Sequence, residues 1–168
     1  MGFDLYGKNP TNPEGHQPPS FDWSRTDIDD SEKKAYFEAL EEYQKKVKGD
    51  YFRANVWYWR PLWDYVCHVC DDILTEKDWE SGHYNDGHTI SEEKAVQIGK
   101  RLNEQIESGR AEAYVKAHEQ ERNEAEEGNK GLKVGDEGYN WAESYPLDLE
   151  NIQRFAVFCS ESGGFTIC

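Results

Sequence analysis

The chain has 168 residues, a formal net charge of −15 and a pI near 4.7, so one domain around one core suits its length and its acidic field excludes non-specific binding to DNA or RNA. A 14% aromatic content excludes a disordered chain, and no apolar run is long enough to cross a membrane. Four cysteines without dense spacing, and a start that lacks a secretion or lipidation signal, point to a reducing cytoplasm.

In GFDLYG, Phe3 and Leu5 alternate with Asp4 and Tyr6 between two glycines, the pattern of a short strand. Residues 8–30, with Pro10, Pro13, Pro18 and Pro19, read as an extended loop pinned to the body by Phe21 and Trp23. Ser31 reads as the cap of a helix in which Tyr36, Leu40, Tyr43 and Val47 recur at helical spacing, and Gly49 reads as its left-handed terminus. Phe52, Val56, Trp59, Trp63, Val66, Cys70 and Ile73 then trace one stripe of a second helix. Pro61 either kinks that helix or marks an irregular entry near Arg60.

Thr75 and Asp78 match a capping box. SGHYNDGHTI reads as a loop with a turn at Asn85, Asp86 and Gly87 and a short strand from His88 to Ile90. Ser91 caps a helix whose buried stripe is Ala95, Ile98, Leu102 and Ile106. Beyond Gly109 a helix continues, but its apolar face stops after Ala117, which predicts a solvated far end. Residues 128–140 read as a second extended loop. Leu149, Ile152, Phe155, Ala156 and Cys159 mark a last helix, and GFTIC a last strand. The sum is an α+β fold, mostly helical, in a single domain over residues 1–168, with a small sheet that pairs the N- and C-terminal strands.

Two patterns carry chemistry. Cys67, Cys70, His83 and His88 have the spacing of a small zinc finger, yet here the cysteines fall inside a helix and the histidines in a loop, the reverse of what such a finger needs; the reading is no metal and no cofactor. Cys67 also lies too deep in its helix for redox chemistry, which needs a thiol at a helix N-terminus. No nucleophile elbow, phosphate loop or dinucleotide fingerprint appears, so a binding protein is favoured over an enzyme. The second pattern joins Arg53, Asn55, Trp57 and Arg60 to His83, Asn85, Asp86 and His88 as a ligand-binding set. Aromatic faces stack on bases and arginine forks grip phosphates; the alternative is that the aromatics are core and the arginines pair with carboxylates such as Asp64.

Taken together, MGFDLYG, YFRANVWYWRPLWDYV, GHYNDGHTIS and FCSESGGFTIC resemble a family of small, functionally uncharacterised proteins of bacteriophage and prophage genomes. Ala54 and Tyr58 depart from that pattern, where Asn and Trp are frequent. The resemblance implies a viral accessory protein acting in the cytoplasm of an infected bacterium, and it assigns no residue a role. In that setting two counter-defence functions fit the chain. One is a sponge that sequesters a nucleotide-like immune signal without catalysis; the other is an acidic inhibitor that mimics nucleic acid and blocks a basic host protein. Self-association into a homo-oligomer is compatible with either.

Overall fold

The computed structural model describes residues 2–168. β1 (Gly2–Gly7) pairs antiparallel with β2 (Tyr51–Asn55) on one side and with β4 (Phe165–Ile167) on the other, and β4 pairs antiparallel with β3 (His88–Ile90). The sheet order is β2-β1-β4-β3. The expected pairing of the first and last strands is therefore its centre. The fold is α+β and mostly helical, as the patterning predicts, and no described helix is long and apolar enough to cross a membrane.

The strands are half-buried by alternation. Phe3, Leu5, Phe52, Ala54, Ile90, Phe165 and Ile167 point to the core, whereas Asp4, Tyr6, Arg53 and Thr89 lie on the open face. Three helices cover the inner face: α2 (Val56–Val69), α4 (Glu92–Glu107) and α6 (Leu149–Glu161). In α2, Trp59 stacks on Trp63 at 5.5 Å and on Phe3 at 5.3 Å. Their indole N–H groups donate to the Gly82 carbonyl at 2.7 Å and the Trp79 carbonyl at 3.2 Å, so neither buried donor is left unpaired.

Several boundaries differ from the sequence reading. Residues 51–55 form a strand rather than the first turns of a helix. Phe52 and Val56 fit the helical spacing, but Phe52 and Ala54 also fit a period of two, and the pairing with β1 decides. Asn55 then caps α2, its side chain accepting from the Trp57 and Tyr58 amides. Pro61 sits inside α2, buried, instead of marking its entry.

α1 (Asp30–Lys46) is capped by Asp29 with Glu32 in a reciprocal box, two residues before Ser31. Gly49 is not its left-handed terminus, since Val47 is the cap; a Cβ at Gly49 would collide with the Glu161 carbonyl, so this glycine permits close backbone approach. Gly109, with φ of 73°, turns the chain from α4 into α5 (Arg110–Gly128). The far end of α5 is not fully solvated, because Ala125 and Asn129 are buried near a 3₁₀ turn at Trp141–Ser144. Asn129 donates to the Asn140 carbonyl and the Glu143 carboxylate at 2.8 Å each and accepts from the Asn140 amide at 2.8 Å, closing the 129–140 loop.

Candidate functional site

The eight predicted site residues do not converge on one cleft. Trp57 packs at 5.2 Å from Tyr145, and Arg60 donates to the Tyr145 hydroxyl at 3.0 Å. His83 faces Asp64 at 3.3 Å. Asn85 donates to the Gly2 carbonyl at 2.7 Å, and Asp86 accepts from the His88 amide at 3.1 Å, so the NDG loop spends its polar groups on holding β1 and its own turn. Asn85 thus touches the strand end next to the aromatic stretch, since Gly2 pairs with Asn55, while the start of the loop meets the stretch directly through Gly82 and His83.

His88 belongs to a separate knot around the buried Asp78. Its Nε2 lies 2.9 Å from Asp78, whose carboxylate also accepts from Lys94 and from the Thr75 amide and hydroxyl. Burial alone would push the Asp78 carboxyl up, but the bonds from Lys94, Thr75 and His88 outweigh it and hold it far below the usual carboxylate range. This knot ties α3 (Glu76–Ser81) to β3 and α4, a structural task. The zinc spacing is not realised as a cluster: Cys67 and Cys70 are buried in α2 and its cap, where burial pushes both thiols up to about 12. His83 and His88 face different carboxylates. Among the described residues no group of His, Cys, Asp and Glu is arranged to hold a metal.

Arg53 is the predicted residue that lines a sizeable cleft beside α6. The space, about 580 Å³, runs along the free edge of β2 between the end of α1 and the outer face of α6. Its walls include Lys45, Lys48, Tyr51, Phe52, Arg53, Arg154 and Phe158. Arg154 lays its guanidinium over the Phe52 ring, 5.4 Å from the centroid. Neither Arg154 nor Lys48 has a carboxylate within ion-pair distance among the described residues, while Lys45 is engaged by Glu41 at 3.0 Å and Glu42 at 2.9 Å. Arg53 Nε lies 3.6 Å from Asp4, which also accepts the Tyr51 hydroxyl proton. Burial, with the Asp4 carboxylate beside it, pushes the Tyr51 hydroxyl up to about 12.

A second cleft of about 320 Å³ shares Arg53 and Arg154 with the first and continues past Asn55 and Tyr58 to the start of α6, at Asp148, Glu150 and Asn151. Arg154, Lys48 and Asn151 were not singled out by the sequence. Arg154 falls off the buried stripe of α6 and resembles any solvated arginine; only the pairing of 51–55 with β1 turns Phe52 inward, beneath it. The chain matches no family model, no curated protein and no solved structure.

Proposed function

We propose that the protein binds a small nucleotide-like anion in the β2–α6 cleft and holds it without chemical change. The observation that carries this reading is Arg154, a guanidinium over the Phe52 ring with no ion-pair partner among the described residues, in a cleft that Arg53 also lines. A phosphate offered arginine guanidinium groups gains charge-assisted, bidentate bonds, and a flat ring finds the half-buried Tyr51 in the same cleft. In a chain of net charge −15, cations gathered on one surface concentrate the field where a small anion would sit, while a long polyanion meets repulsion everywhere else. Relative to the sequence reading, the pocket keeps Arg53 and gains Arg154; Asn55 lines the adjoining cleft, and Trp57, Arg60 and the histidine loop leave the site. With the phage resemblance, sequestration of a nucleotide-derived immune signal in the bacterial cytoplasm is the function this cleft would serve.

Isothermal titration against linear and cyclic nucleotides tests the reading. Wild type is expected to bind at least one of them, and Arg154→Ala to weaken that binding by at least about tenfold, since losing a charged hydrogen-bond partner is worth about 1.5–3 kcal/mol. The melting temperature should move by no more than a few degrees, because Arg154 is exposed. If no nucleotide binds, the acidic-surface reading takes its place. It draws on the exposed glutamates of α5, among them Glu112, Glu119, Glu124 and Glu127, and requires a complex with a basic protein that weakens steeply with salt.

A further inference from the structure

We infer that the second cleft is a nucleoside subsite, and that the ligand is a dinucleotide: two nucleosides joined through phosphate, with the linkage at Arg53 and Arg154. The inference rests on the nucleotide reading above and extends it to the class of ligand.

Size and connection come first. At about 580 and 320 Å³, each cleft falls by itself within the range of about 300–1,000 Å³ typical of small-molecule sites. They meet at the two arginines, which line both. A phosphate gripped there has a lobe on either side, whereas a mononucleotide would fill only one.

The chemistry of the second lobe is that of a neutral, hydroxyl-bearing group. Asp148 and Glu150 line it, and their charge disfavours a terminal phosphate, while carboxylates are good acceptors for ribose hydroxyls. The start of α6 is not an open anion site, because Asp148 already accepts the Asn151 amide N–H at 2.6 Å. Asn151 itself is only 8% exposed, and its side-chain amide has no hydrogen-bond partner among the described residues although it lines the lobe. The amide remains open to solvent, and a ribose hydroxyl or a base edge can take the place of water there. Asn55 spends its side-chain oxygen on the Trp57 and Tyr58 amides at 3.0 and 3.1 Å, which leaves its NH₂ group to donate. Tyr58 adds a half-open ring at the rim.

The test compares adenosine and guanosine monophosphates with the linear and cyclic dinucleotides of the same bases, by isothermal titration on the full chain. A dinucleotide is expected to bind at least about tenfold more tightly than either mononucleotide. Asn151→Ala should weaken the dinucleotide by about three- to tenfold, the worth of a neutral hydrogen bond, and leave mononucleotide binding unchanged. Glu150→Gln, an exposed change that does not touch the helix cap, should act in the same direction and serves if Asn151→Ala does not fold. Equal affinity for the two classes, or a lobe variant that weakens both alike, overturns the dinucleotide inference and leaves the nucleotide reading standing. Binding of neither class overturns both.

Discussion

The two helices that flank the cleft are both striped in sequence, yet they sit in the molecule differently. α6 buries Ile152, Phe155, Ala156, Phe158 and Cys159, and Phe155 alone meets Phe52, Trp59 and Phe165 within 6 Å. α1 buries no residue at all. Its Tyr36 packs on Phe21 and Trp23 from the preceding loop at 5.1 and 5.6 Å, and Trp23 and Phe37 remain 54% and 55% exposed. A stripe of apolar residues thus establishes that a helix forms and which side is sticky, not that a core lies beneath it. For the cleft, the consequence is one wall set by the core and one wall held mainly at its end, through buried Val47 and Gly49.

Substitutions along these walls sharpen or break that contrast. Phe155→Ala should cost about 3–5 kcal/mol in chemical denaturation, the toll of a cavity at the meeting point of four aromatic rings; a loss under about 1 kcal/mol would mean that α6 is no better anchored than α1. Gly49→Ala should cost about 1–3 kcal/mol, because its methyl group would push against the Glu161 carbonyl at the junction of the two walls, and a thermal melt identical to wild type would show that the junction is loose. Phe37→Ala should stay within about 0.5 kcal/mol of wild type. A loss above about 2 kcal/mol would place α1 on a core that this structure does not give it.

Most of the architecture could be read from residue order because its signals are local. The Thr75–Asp78 box, the Ser91 cap and the stripes of α4 and α6 each involve neighbours on one helix, and all form as expected. The misreadings fall where local signals tie. Asp29 and Ser31 are both good caps, and Glu32 decides for Asp29 by reaching back to its amide. Phe52 serves a period of two and a period of 3.6 equally well, and only a strand at the far start of the chain resolves it. Arg53 stood out as a candidate because it interrupts an aromatic run; Arg154 did not, since nothing near it in sequence announces Phe52. Trp57 and Arg60 carry the same residue types as a pocket, but Tyr145 occupies them. A cleft assembled from a strand and a distant helix is a tertiary fact, and residue types alone propose its walls without saying which will meet.

The position of β4 also bears on the order in which the molecule assembles. β4 joins β1 to β3, and its bonds to β1 bring residues 5–7 against residues 165–167. Helices of this length form within about a microsecond, whereas a ladder that closes nearly the whole chain must first overcome the entropy of that loop. The central ladder is therefore expected among the last elements to form. Until it closes, β3 has no strand partner and β1 presents a bare, pairing-ready edge with Phe3 and Leu5 uncovered. Partly folded chains held in that state would seek strands from one another.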